Sequence, residues 1–182
     1  AMSHLSFVAH AYIWGGIKPN SVLPEVISKP WVKVSNYIGR PPILSYASYC
    51  LDNWYKIDNN QPISLNNVAL INNFLGGVDE DWFVTIHVCI EDAATDAIIA
   101  ANNLSKLNEN SKVREFSLEL KKIIKSLKNV NEIFSKMPDK CDPYIYYHRV
   151  RPYIFGTKNN PDLKNGLIYE NQFDNKPQFF RG

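Results

Sequence analysis

Phe83 and His87 stand four residues apart in the run Phe83-Val-Thr-Ile-His-Val-Cys-Ile-Glu-Asp-Ala-Ala-Thr-Asp-Ala-Ile98. On a helix that spacing sets an aromatic ring and an imidazole one above the other, in a stripe that continues through Ile90, Ala94 and Ile98. A neutral imidazole offers one donor and one acceptor. Taken alone, a single histidine in such an apolar, alanine-rich stripe reads as a satisfied core residue. A second cluster, Tyr146-Tyr-His-Arg-Val-Arg-Pro-Tyr-Ile-Phe-Gly156, adds aromatic rings and two arginines. The guanidinium of Arg151 is a planar fork that can grip both oxygens of a carboxylate. Arg149, two residues away, faces elsewhere on a helix. Taken alone, Arg151 reads as half of a surface or domain-bridging ion pair. The chain has no His-Glu-x-x-His, no glycine-rich phosphate loop and no nucleophile elbow. Hydrolase and nucleotide-binding readings therefore have no residue to rest on.

The elements that must hold these side chains are mostly helical. Leu5, Val8, Tyr12 and Ile13 predict a helix over about 2–14, stopped by Gly15-Gly16. A connection punctuated by Pro19, Pro24 and Pro30 leads to a short helix over about 31–37, broken by Gly39-Arg-Pro-Pro42. Ser45 can cap the next helix, expected through about Tyr55. Asp58-Asn-Asn-Gln-Pro62 is a turn, and Val68-Ala-Leu-Ile71 could be a short strand. Gly76-Gly77 marks a boundary, and the acids of Asp79-Glu-Asp81 favour the start of a long helix to about Leu107. Alanines 93, 94, 97, 100 and 101 would let a neighbour approach it closely. A second long helix, about 112–136, carries Val113, Phe116, Leu120, Ile123, Leu127, Val130 and Phe134 as an expected core stripe. Pro143 opens a third helix to about Phe155, closed by Gly156, and residues 159–176 read as loop.

The 182 residues are enough for one ordinary domain or parts of two, and both ends predict a piece of a longer protein. Hydrophobic content of 45% with 21% charged residues belongs to a soluble globular protein with a real core. A formal charge of +2 gives no case for a nucleic-acid partner, and the lysines at 112, 121, 122, 125 and 128 read as a solvated helix face. No apolar run is long enough to span a bilayer, and nothing reads as a signal peptide. Cys50, Cys89 and Cys141 are too scattered for a disulfide framework or a zinc site, and read as reduced thiols in a cytoplasm.

Five segments in a fixed order resemble the indoleamine 2,3-dioxygenase family: His10-Ala-Tyr-Ile-Trp-Gly15, Arg40-Pro-Pro-Ile-Leu-Ser-Tyr46 with Asn53-Trp54, the Phe83–Ile98 run, Arg151–Gly156, and Gly166-Leu-Ile-Tyr-Glu170. The resemblance runs from about His4 to Gly182. It implies an all-α fold around a haem, with 1–76 as the end of a small helical domain plus linker and 77–182 as the first part of a large catalytic one. It implies haem b as cofactor, L-tryptophan or a related indole and O2 as substrates, and cleavage of the indole C2–C3 bond to N-formylkynurenine. It implies neither a membrane nor an obligate protein partner.

The family's roles carry over residue by residue. Tyr46 matches a ring where the indole sits, and Phe83 a ring that stacks near it and against the cofactor. Tyr146 and Tyr147 match positions lining the pocket and its mouth. Arg151 matches the arginine that holds the substrate carboxylate, and Gly182 the start of a loop that contacts substrate. His87 departs from relatives that carry serine there. It resembles instead the distal histidine of tryptophan 2,3-dioxygenases, which accepts a hydrogen bond from the indole N–H, so it is the catalytic candidate and a cofactor neighbour. Glu91 is placed either to orient His87 or to pair with another helix. His148 is within reach of the same pocket, but the resemblance puts the proximal iron ligand, a histidine, after Gly182. Two other readings stand beside this one: a different oxidation of a tryptophan derivative, and a haem-binding protein without turnover.

Overall fold

The computed structural model describes residues 1–107 and 113–182 and is mostly helical, as expected. Helix α1 (Met2–Trp14) turns Ser3, Ser6, Phe7, Ala9, His10 and Ile13 inward. It lies between two apolar clusters. Phe7 packs with Leu44, Tyr49, Trp82, Ile86 and Tyr146, while Ala9 and Ile13 pack with Leu23, Trp31, Leu167 and Tyr169.

Helix α2 (Glu25–Ile38) starts six residues before the expected Trp31 and contains Pro30. Proline there costs one backbone bond, to the Val26 carbonyl, and Val26 is 79% exposed, so water can replace it. Gly39 ends α2 in the left-handed region at φ +69°, with the Arg40 N–H donating to the Ser35 carbonyl. The helix expected over 45–55 is a single π turn, Ala47–Leu51, followed by strand β2 (Trp54–Lys56). Ser45 does cap it, accepting from the Ser48 N–H at 3.3 Å. Asn53 stops it. Its Nδ2 takes the Tyr49 carbonyl that a continuing helix would use, and its Oδ1 accepts from the Asn72 N–H. Strand β3 (Val68–Leu70) then pairs antiparallel with β2.

Helix α3 (Val78–Leu104) begins where the acids predict. Glu80 does more than complement the helix dipole. Only 1% exposed, it accepts from the Phe74 and Leu75 N–H groups, and holds the turn before the helix. Burial raises its pKa, opposed by those bonds. The Phe74 ring is thereby fixed between Phe7 and Tyr153, with centroids 4.6 and 4.9 Å away.

Helix α4 (Val113–Phe134) runs along α3, with the Ser126 hydroxyl donating to the Ala93 carbonyl at 2.6 Å. The alanine face admits it closely, as expected. The expected core stripe does not hold: Val113, Phe116, Leu120, Leu127 and Phe134 are exposed, and Ile123 and Val130 are half-buried. Among the described residues α4 packs chiefly along α3 and buries mainly the line of side chains facing it, centred on Ser126.

The third expected helix is present but irregular. α5 (Pro143–Ile145) continues as a π turn, Tyr146–Val150, and a 3-10 turn, Arg151–Ile154. Pro152 explains the change, since it has no N–H to return to the His148 carbonyl. Asp142 caps the start through the Tyr144 and Ile145 N–H groups, and Asp79 of α3 accepts from the Asp142 N–H at 2.7 Å. The tail is more than loop. Strand β4 (Ile168–Tyr169) pairs parallel with β1 (Val22–Leu23), inside the connection read as irregular. Tyr169 is fully buried and donates to the Pro42 carbonyl at 2.6 Å. An alternating polar sequence hides such a two-residue ladder.

His10 is fully buried between the two clusters. Its Nδ1 lies 2.7 Å from the Tyr153 carbonyl and its Nε2 accepts from the Leu44 N–H at 3.0 Å. Since a carbonyl only accepts, Nδ1 carries the proton. Burial lowers its pKa from 6.5 to about 4, the Tyr153 bond opposing. A depressed pKa means stability that is complete above pH 6.5 and lost as pH falls through about 4. That loss should reach ~3 kcal/mol in denaturant titrations across this window, and His10→Asn should flatten that acid limb.

Gly156 supplies a close backbone approach. A Cβ there would sit 2.5 Å from the Gly182 nitrogen and 2.8 Å from the Phe180 carbonyl oxygen. Gly156→Ala should cost about 1–3 kcal/mol in thermal or denaturant melts, by lifting the 180–182 segment. Unchanged stability would mean that the segment is not docked there in solution.

Candidate functional site

Three segments meet on one side of α3, and each is held by backbone rather than by chance packing. The first is α3 itself, which presents Phe83 and His87 one turn apart. The second is the Leu44–Tyr46 stretch that leads into the π turn. The third is the composite helix that carries Tyr146, Tyr147 and Arg151. π turns occur at both irregular segments, and this geometry recurs at functional sites because it re-aims side chains within a helix.

The rings form a line. Tyr146 stacks on Phe83 at 4.0 Å and 20°, and the His87 ring lies on the other side of the line at 4.1 Å from Phe83. Tyr46 meets His87 edge-on at 5.9 Å. Such pairs each add about 0.5–1.5 kcal/mol beyond the area they bury, which stiffens the line.

His87 Nδ1 lies 2.7 Å from the Phe83 carbonyl oxygen. The carbonyl must accept, so Nδ1 holds the proton and a neutral ring keeps its lone pair on Nε2. Of the two placements open to Glu91, the second is realised: it accepts from the Tyr46 hydroxyl at 2.8 Å, on another segment, and does not orient His87. Burial, then that bond, raises the Tyr46 pKa, so the phenol stays protonated.

Phe83, Tyr146, Tyr147 and Arg151 line one open cavity of about 570 Å³. Met137, Cys141 and Ile154 complete its apolar wall. His87 and Tyr46 do not line it. They extend the aromatic line past Phe83. Gly182 is adjacent by backbone: a Cβ there would come within 3.1 Å of the Ile154 and Leu44 carbonyl oxygens. Arg151 is exposed over the Tyr147 ring, its guanidinium carbon 5.2 Å from the centroid. Among the described residues no carboxylate is within ion-pair distance of it. Arg149 is exposed outside the cavity, and His148 lies tilted against Tyr144 at 4.5 Å and edge-on to Tyr147 at 5.0 Å.

Two hydroxyls beside this wall, those of Tyr49 and Tyr146, are buried close to each other, short of hydrogen-bond geometry and with no other partner, and burial raises the pKa of both. Met137 and Ile154 were not assigned to the site from the sequence because an apolar side chain carries no chemical signal of its own, and Cys141 was read there only as a reduced thiol. The link of His10 to this region was missed too, since its two partners are backbone groups with no side-chain signature. Among the described residues no group of three or more His, Cys, Asp or Glu could hold a metal ion.

The chain is similar to indoleamine 2,3-dioxygenase 1 of Rattus norvegicus, at 36% identity over 180 residues, which is 98% of this chain and 44% of the rat protein. It is 30% identical over 194 residues to indoleamine 2,3-dioxygenase nanC of Aspergillus nanangensis, covering 97% of this chain and 45% of that protein. Against indoleamine 2,3-dioxygenase of Saccharomyces cerevisiae the figures are 29% over 178 residues, 93% and 39%. The chain thus spans less than half the length of these relatives. The family model described as indoleamine 2,3-dioxygenase matches residues 1–182, and this match, with the aromatic line and the arginine-marked cavity, means that the chain belongs to the indoleamine 2,3-dioxygenase family.

Proposed function

We propose that, in the full-length protein, these residues form the distal wall of a haem b pocket in which L-tryptophan or a close indole reacts with O2. The product of the reaction is N-formylkynurenine, by cleavage of the indole C2–C3 bond. The observation that carries this reading is Arg151, a cation without a carboxylate partner among the described residues, at a cavity otherwise walled by aromatic and apolar side chains. A haem carrier needs no such cation; an amino-acid substrate does.

The wall suits a flat apolar ring system. Phe83 and Tyr146, stacked on each other, both line the cavity, and Met137, Cys141 and Ile154 keep the remainder apolar. Phe83 and His87 would be the cofactor's neighbours in this chain, and a histidine outside residues 1–182 would hold the iron. Bound haem b supplies activation of dioxygen for insertion into the indole ring.

The chain's own residues bind and orient. Arg151 grips the carboxylate through two parallel N–H donors. Phe83, Tyr146 and Tyr147 flank the indole and exclude water from it. His87 accepts the indole N–H at Nε2, the atom its bond to the Phe83 carbonyl leaves unprotonated. Tyr46 contributes its ring, since its hydroxyl is committed to Glu91. The Gly182 backbone, beside the Ile154 carbonyl, is a further substrate contact. In this reading 1–76 closes a small domain and 77–182 opens the catalytic one, while the core packs across that border through Phe7, Leu44 and Trp82. The protein works in the cytoplasm, where the free, buried Cys50, Cys89 and Cys141 stay reduced, without nucleic acid, membrane or obligate protein partner. Among the described residues no helix is long and apolar enough to cross a membrane.

The unpartnered Tyr49 and Tyr146 hydroxyls favour one second reading, a more polar indole derivative undergoing a different oxidation. Product mass separates the two. The reduced, haem-loaded, full-length protein with L-tryptophan and isotopically labelled O2 should yield a product carrying two labelled oxygens. One labelled oxygen would favour the second reading, and none from any indole would overturn the enzyme assignment.

His87→Ser should leave turnover measurable while weakening tryptophan binding by about 0.5–1.5 kcal/mol, one hydrogen bond's worth. The N-methylated analogue has no N–H to donate, so its affinity should change less. Equal losses for both ligands would remove His87 from the indole nitrogen.

A further inference from the structure

His10 lies outside the cavity, yet its ring joins the two segments that deliver Tyr46 and Arg151. Nδ1–H donates to the carbonyl of Tyr153, in the same 3-10 turn as Arg151, and Nε2 accepts from the N–H of Leu44, two residues before Tyr46. Both bonds come from one fully buried side chain of α1, whose sequence distance to Tyr153 is 143 residues. We infer that His10 is a positioning residue for the carboxylate-binding side of the site, setting where the Arg151 turn stands relative to the Leu44–Tyr46 segment. The inference rests on the reading of Arg151 as the substrate's carboxylate clamp.

The geometry around the ring leaves it no other role. Trp31 meets its edge at 6.0 Å, and Trp31 is itself pinned by donating to the Ser6 hydroxyl at 3.1 Å, so the imidazole cannot turn away. Phe74 stacks on the Tyr153 ring at 4.9 Å and steadies the same turn from the opposite side. The Tyr153 carbonyl accepts and the Leu44 N–H donates, and a ring with one donor and one acceptor connects them. Without it, a buried N–H and a part-buried carbonyl would be left unpaired, and the turn would shift to satisfy them. Displacement of a binding group by about an ångström is enough to lose orders of magnitude in productive binding.

The test compares L-tryptophan with tryptamine, which lacks the carboxylate, in the haem-loaded full-length protein. Dissociation constants are read from ligand-induced changes in the absorbance spectrum, and folding from thermal melts. Arg151→Leu should abolish the preference for tryptophan. His10→Phe keeps a flat ring but neither bond, and should lower the tryptophan-to-tryptamine preference about tenfold or more. His10→Asn places an amide N–H near the Nδ1 position and should retain most of the preference. His10→Gln places an acceptor near Nε2 and should lose it, because the Tyr153 bond is the one that holds the Arg151 turn. The Asn and Gln variants decide the matter if the Phe variant does not fold. If Arg151→Leu removes the preference but folded His10→Phe or His10→Gln keeps it, or either loses both ligands equally, the positioning role is overturned. If Arg151→Leu leaves the preference intact, the clamp reading fails, and the inference that rests on it fails too.

Discussion

Two backbone groups, the buried Leu44 N–H and the part-buried Tyr153 carbonyl, come from segments more than a hundred residues apart and are satisfied by one imidazole. An unpaired buried amide or carbonyl costs on the order of 1–3 kcal/mol, so neither segment can take its place independently of α1. The proline-rich stretch before Tyr46 and the irregular turn that carries Arg151 have few internal backbone bonds of their own. Their positions are therefore set from outside, by His10 and by Tyr169, whose hydroxyl reaches the Pro42 carbonyl. Desolvation keeps the ring neutral, and neutrality keeps one nitrogen a donor and the other an acceptor.

Irregular backbone collects where the candidate site lies. Both π turns and the 3-10 turn at Arg151 border it, and the Gly156–Gly182 approach sets the 180–182 segment beside it. The regular element is α3. It is stiffened by Glu80 at its start and by α4 along its alanine face, and it presents Phe83 and His87 at fixed spacing. A rigid helix facing two externally braced segments suits a binding surface that must be flat and ordered before its ligand arrives.

Polar groups around the aromatic line are handled unequally. Tyr46 and His87 each have a committed hydrogen bond, which fixes their orientation and leaves His87 Nε2 available. The Tyr49 and Tyr146 hydroxyls have none, although they are buried. Two such groups beside an apolar wall are a local cost in the absence of ligand, and they make the wall more polar than its ring content suggests.

The sequence by itself determined the local features whose causes are local. These are the two long helices, the stop at Gly39, the Ser45 cap, the acid-led start of α3 and the stacking of Phe83 with His87, which needs only helical spacing. The resemblance carried by five short segments pointed to the family for the same reason: order and spacing are linear properties. Tertiary structure decided what depends on partners distant along the chain. Asn53 ended a helix by capturing the Tyr49 carbonyl and bonding Asn72, Pro30 was tolerated because Val26 faces water, and the stripe of α4 stayed exposed because, among the described residues, α4 packs chiefly along α3. His10 is the clearest case. Its residue type said only donor and acceptor, and which backbone groups it would join, and so which site residues it would hold, followed from α1 being buried between two cores.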